Sequence, residues 1–161
     1  MKIELKGIKI LQKASEETLC FEATIMIDGK QAGSVSNSGT GGANRYSDRK
    51  TQEALDAWGR TLPPLESKYG LALTQDSDLI IDQIVYDYDR RQALKKLMAK
   101  RIVFKESNGE ITQTKALTTP VIQHYLSDDT AMAKLAKGSV VLNKLPFEEA
   151  LRVFGSNAGR G

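Results

Sequence analysis

Two stretches of this 161-residue chain have residue types and spacings that could carry chemistry. The first is Gly39-Thr40-Gly41-Gly42-Ala43-Asn44, followed by Arg45 and Tyr46. Glycines between a strand and a helix let backbone amides approach a phosphate. The third glycine of a dinucleotide fingerprint is missing where Asn44 stands, and no Gly-Lys-Ser/Thr ending makes it a P-loop. Two readings stay open. The segment is a tightly turned connection, or it is a ligand or partner loop. In the second case Gly39, Gly41 and Gly42 shape it, and Asn44, Arg45 and Tyr46 make the specific contacts.

The second stretch is basic. Arg90, Arg91, Lys95, Lys96, Lys100, Arg101 and Lys105 fall within 16 residues that contain no acid. Such a run binds phosphates by releasing counterions. The competing reading is helix-dipole complementation, because Asp76, Asp78, Asp82, Asp87 and Asp89 precede the run. Acids at a helix start and bases at its end are each stabilising. Only one aromatic residue, Phe104, falls among the bases, which weakens recognition of single strands by stacking.

Other catalytic constellations are missing. One histidine, His124, and one cysteine, Cys20, cannot build the usual zinc site, and no metal site is expected. A Cys/His dyad would need two distant segments to converge. No Gly-x-Ser-x-Gly elbow occurs. The pairs Asp87/Asp89 and Asp128/Asp129 read most simply as helix-surface and capping groups. No catalytic residue and no cofactor is therefore assigned.

Composition narrows the class. Hydrophobic residues make up 40% and charged residues 27%, which excludes disordered, collagenous and disulfide-scaffold chains. A single cysteine makes no internal disulfide, which points to a reducing cytoplasm. No apolar run approaches the ~20 residues of a membrane span. The net charge is only +3, but it is uneven. Residues 1–89 hold 10 Lys/Arg and 14 Asp/Glu; residues 90–161 hold 13 and 6. That asymmetry forms a basic face only if the two halves of the sequence are also halves in space.

The elements that position these stretches follow from periodicity. Ile3 and Leu5 share one phase, Ile8 and Ile10 the other, so a strand with a bulge or kink at Gly7 is expected. Leu19, Phe21, Ala23, Ile25 and Ile27 alternate strictly, the mark of a half-buried strand. Asp28-Gly29 turns the chain into a hairpin. A three-residue loop places Val35 opposite Phe21 on the apolar face, whereas a two-residue loop places it opposite Glu22. Burial favours the former. Ser47 or Asp48 caps a helix with Thr51, Leu55, Trp58 and Leu62 at helical spacing, stopped by Pro63-Pro64. Asp76 or Ser77 opens a longer helix to about Lys100. It covers the sheet, with Phe21, Ile25, Trp58 and Ile84 in one core. A second hairpin turns at Asn108-Gly109, and its polar strand from Ile111 to Lys115 is an edge. Pro120 starts a further helix, and Asp128 or Asp129 caps another that ends at Gly138. Val140, Val141 and Leu142 read as a buried strand. Pro146 to Gly155 spell a final helix, and 156–161 a loose tail. The result is one α+β domain over 1–155: an antiparallel N-terminal sheet covered by helices, a second β-hairpin and short C-terminal helices.

Three further features are shared with a known group. They are the hairpin from Ser15 to Lys30 with Gly33-Ser-Val-Ser-Asn37 and Gly39-Thr-Gly-Gly42, the element Leu62-Pro-Pro64, and the ending Leu142-Asn-Lys-Leu-Pro-Phe-Glu-Glu-Ala-Leu151. In these the chain resembles a family of uncharacterised small accessory proteins from phages, prophages and plasmids. The resemblance covers most of the chain and transfers no catalytic role. It implies a mobile-element origin and action by binding host machinery or nucleic acid. The first expectation is a non-enzymatic protein of a bacterial host's cytoplasm that binds a host protein complex as an inhibitor of a defence system, of the anti-CRISPR kind. The second is a nucleic-acid-binding accessory protein using residues 90–105. The third is a nucleotide-binding enzyme using the Gly39–Gly42 loop.

Overall fold

A computed structural model describes residues 1–67 and 69–155. The expected loose tail, 156–161, lies outside the described residues. The fold is α+β. Backbone contacts divide the chain into two compact units, Met1–Asp89 and Arg90–Gly161. The boundary is also the point at which the charge of the sequence changes sign, from −4 before it to +7 after it. The two halves of the sequence are therefore two bodies, each with its own core.

The N-terminal unit is built on a four-stranded antiparallel sheet in the order β1 (Ile3–Ile10), β2 (Cys20–Ile27), β3 (Lys30–Ser38), β4 (Arg45–Tyr46). The β1–β2 register slips between Lys6 and Lys9. Gly7 sits there at φ 62°, a left-handed conformation that glycine enters freely, so the phase change read at Gly7 is a bulge.

The β2–β3 turn corrects one expectation. Ile27 pairs with Lys30, so the loop has two residues, with Asp28 (φ 49°) and Gly29 (φ 80°) both left-handed as a type I′ turn requires. Val35 nevertheless stays on the apolar face, opposite Ala23 rather than Phe21 or Glu22. A bulge does this. Met26 pairs with Gln31 and Ile25 with Gly33, so Ala32 is an extra residue that restores the phase. Its carbonyl accepts the Thr51 hydroxyl at 2.6 Å.

Two helices of this unit follow: α1 (Arg49–Gly59) and α2 (Ser77–Met98), which continues past Asp89 into the second unit. Asp48 is the N-cap of α1, its carboxylate accepting the Thr51 amide at 2.8 Å. Asp76 accepts the Leu79 amide at 2.8 Å at the start of α2. Phe21, Ala23, Ile25, Val35, Leu55, Ile81 and Val85 form the core. Trp58 and Ile84, placed in that core by spacing alone, are only half-buried and line a groove with Ile3, Leu62 and Gln75. The buried stripe of α1 is Thr51, Leu55 and Gly59. Gly59 lets the chain at Gln75 come close, since a Cβ there would lie 2.5 Å from the Gln75 carbonyl oxygen. Trp58, about 100° round the helix, is left beside that contact. A short hairpin of β5 (Leu65–Glu66) and β6 (Ala72–Leu73) joins the helices.

In the C-terminal unit, β7 (Val103–Lys105) is central to a three-stranded antiparallel sheet. It is flanked by β8 (Ile111–Gln113), the expected edge strand, and β9 (Val140–Val141). Gly109 (φ 89°) closes the β7–β8 loop. Helices α3 (Thr119–Ser127), α4 (Asp129–Ala136) and α5 (Phe147–Gly155) complete it. Asp128 caps α4 through the Ala131 amide. Val140 is exposed and Val141 half-buried, so the expected buried strand is a short partner of β7. Only Leu142, in the 3-10 turn that follows, is buried. Asn143 in that turn accepts the Val103 amide and donates to the carbonyls of Met98 and Arg101.

Candidate functional site

The buried positions Val35 and Asn37 of β3 continue with period two to Gly39, just past its end. The second of these is polar on an apolar face, and it organises the glycine loop. Asn37 is buried, and its amide makes four hydrogen bonds. The oxygen accepts the Gly39 amide at 2.8 Å and the Thr18 hydroxyl at 2.9 Å. The nitrogen donates to the Gly42 carbonyl and to Asn44 Oδ1, each at 2.9 Å. The Gly39 carbonyl in turn accepts three consecutive amides, those of Glu16, Glu17 and Thr18. Gly39 has φ 85°, and a Cβ would lie 2.2 Å from the Ala14 carbonyl oxygen. The loop is tied at one end through Gly39 and at the other through Gly42 and Asn44.

The network continues into α2. Asn44 is buried, and its Nδ2 donates to Asp82 Oδ1 at 2.9 Å. The Tyr46 hydroxyl donates to Asp78 Oδ1 at 2.9 Å. Asp78 and Asp82, spaced i,i+4, share the side of α2 that meets the loop. Burial, with the charges of Asp78 and Asp76 nearby, raises the Asp82 carboxyl above its ordinary value, although the Asn44 amide opposes the shift. Burial is also the main reason that the Tyr46 phenol is pushed far above its usual range.

Of the six loop residues singled out by sequence, Asn44 and Tyr46 thus turn their polar groups inward as braces. Gly39 is buried, Gly41 and Gly42 are exposed, and Arg45 is exposed. The surface offered to a partner is Thr40 to Ala43 with Arg45. Phosphate binding is poorly served here. The Gly39 and Gly41 amides are taken by Asn37 and Thr18, and two carboxylates stand beneath the loop.

The basic run is largely consumed by the C-terminal unit. Arg91 makes two bonds to Glu148, at 2.6 and 2.9 Å. Arg90 lies against Gly155, where a Cβ would meet Nη1 at 2.5 Å. Arg101 donates to the Thr114 carbonyl at 2.8 Å, and Lys95 sits 5.4 Å from the centre of the Phe147 ring. Lys96 and Lys100 are exposed, and Lys105 is half-buried in β7.

Sequence reasoning missed Thr18, Asn37, Asp78 and Asp82 as a set. The available signal was Asn37, two positions beyond Val35 on the apolar face. It also missed Glu106 on the β7–β8 loop, which accepts the hydroxyls of Ser139 at 2.5 Å and Thr112 at 2.6 Å. Among the described residues, no group of three or more His, Cys, Asp or Glu is placed to hold a metal ion, and no helix is long and apolar enough to cross a membrane. Cys20 lies in β2 and His124 in α3, beside Tyr125. Comparison with family models, curated proteins and solved structures returns no match for this chain.

Proposed function

We propose that the protein is a non-enzymatic accessory protein of a phage or mobile element. In this reading it binds a protein complex of its bacterial host through the Thr40–Arg45 loop and inhibits a defence system. One observation carries the reading: an exposed loop is held in a single shape by the buried Asn37–Asn44 pair. A loop ordered before it meets a partner loses little entropy on binding, so its contacts convert more fully to affinity. The exposed residues Thr40 to Ala43 and Arg45 are presented on that braced frame, as binding loops are. The family resemblance adds the mobile-element origin.

The test has two parts. Expression in a host carrying a defence system should raise the plating efficiency of a phage that the system restricts. Arg45→Glu combined with Ala43→Arg should abolish both this effect and capture of the host complex, with the melting temperature unchanged. Equal protection and capture by the parent and the loop variant contradict the reading.

A second reading, binding to nucleic acid, draws on the charge of +7 carried by residues 90–161, a unit in its own right. Each phosphate contact to duplex DNA adds about 0.9 to the slope of log affinity against log salt. Affinity for short duplexes that is micromolar or better near physiological salt would favour it over the first.

A further inference from the structure

The C-terminal unit holds a cavity of about 310 Å3 between the β7–β8 hairpin and the end of α4. Its walls carry both signs of charge. Glu106 lines one part and Lys137 another, while Phe104 and Leu135 supply apolar surface. Hydrogen bonds from Ser139 and Thr112, with help from the Lys137 charge, hold the Glu106 carboxyl below its ordinary value, so it is ionised at neutral pH. An ionised carboxylate offers about four acceptor sites. The two hydroxyls leave the rest for a ligand.

Lys137 is the second, independent feature. It follows the last turn of α4 at φ 48°, ψ 37°, left-handed backbone that L side chains enter only at a steric cost. Helices usually end this way on glycine. Here Gly138 comes one residue later, and the strained position keeps a lysine whose side chain lines the cavity.

We infer that this cavity binds a small zwitterion of the α-amino-acid class. Its ammonium would meet Glu106, its carboxylate Lys137, and its apolar side chain Phe104 and Leu135. The volume lies at the small end of the ~300–1,000 Å3 range of ligand clefts, which limits the ligand to this scale. A simple amine would leave Lys137 facing a like charge. A simple acid would face Glu106 in the same way. An apolar ligand would desolvate both charges and meet neither. A molecule bearing both charges meets both walls. The site lies wholly within the C-terminal unit and is independent of the loop reading above.

The experiment is a titration of the isotope-labelled full-length protein, followed by amide NMR. The probes are leucine, phenylalanine, and the two halves of leucine, isoamylamine and 4-methylpentanoate. Leucine or phenylalanine should shift the amides of residues 112–114 and 135–139. Each half should bind at least roughly tenfold more weakly. Glu106→Gln and Lys137→Gly should each weaken binding by roughly tenfold or more. Lys137→Gly should do so with an unchanged or raised melting temperature, because glycine relieves the left-handed strain. No shift at about 10 mM of either amino acid would overturn the assignment. So would a half-ligand that binds as tightly as leucine, or binding retained by both variants.

Discussion

Replacing Asn37 with alanine tests the architecture of the loop at its centre. Asn37 is 6% exposed and makes four hydrogen bonds through its side-chain amide. In the variant, the Thr18 hydroxyl and the Gly42 carbonyl can turn to water, since one is part-exposed and the other belongs to an exposed residue. The Gly39 amide and Asn44 Oδ1 are buried and cannot. Each buried group left unpaired costs about 1–3 kcal/mol, so the expected loss is about 2–4 kcal/mol after partial relaxation. Asn37→Asp sharpens the test. It keeps the acceptor for Gly39 and Thr18 but sets a carboxylate oxygen against the Gly42 carbonyl and Asn44 Oδ1. It should be at least as damaging as alanine at pH 7, and should recover partly as the carboxyl is protonated at low pH. Urea unfolding at pH 7 and pH 4.5 measures both. An Asn37→Ala protein within about 0.5 kcal/mol of the parent, or an aspartate variant more stable than the alanine one at pH 7, would refute the reasoning.

Three further expectations follow from the same geometry. Gly39→Ala drives a Cβ into the Ala14 carbonyl at a left-handed φ, while Gly42→Ala enters open space. Thermal unfolding should therefore show a severe loss for the first and a change within about 0.5 kcal/mol for the second. The folded-state pKa of Asp82 is raised, so folding favours its protonated form. The stability this gives is present at low pH and lost as pH rises through the folded value. Asp82→Asn keeps an acceptor for Asn44 without the charge. It should raise the melting temperature at pH 7, and the gain should vanish on acidification below the ordinary aspartate value. Arg91→Ala removes a two-bond ion pair whose Glu148 side is largely exposed, so the cost should be about 0.2–1 kcal/mol and should shrink further in high salt.

Local signals in the chain were legible because they act over a few residues. The alternation from Leu19 to Ile27, one of the two candidate caps at each of α1 and α4, the position of the turn at Asp28-Gly29, though not its length, and the phase change at Gly7 each read out as expected. The β2–β3 register did not, because the extra residue at Ala32 leaves no mark except a neighbouring glycine. Trp58 sat at core spacing, yet the stripe passed through Gly59 because another backbone segment needed the room. The three two-residue strands of the N-terminal unit were too short for any period to show. The loop residues Asn44, Arg45 and Tyr46 were found as types, but two of the three turned inward. Their partners lie 32 to 38 residues away, and contacts between distant polar side chains follow no periodicity. The basic run was visible as charge, whereas its bonding to Glu148 and the Thr114 carbonyl was not.

Site-specific photocrosslinking in the native host tests the loop's role most directly. A photoreactive residue placed at Ala43, in the exposed part of the loop, should crosslink to a subunit of a host protein complex. The same residue at Lys96, in the basic run, should not. Crosslinks confined to position 96, or crosslinks to nucleic acid in place of protein, would contradict the account.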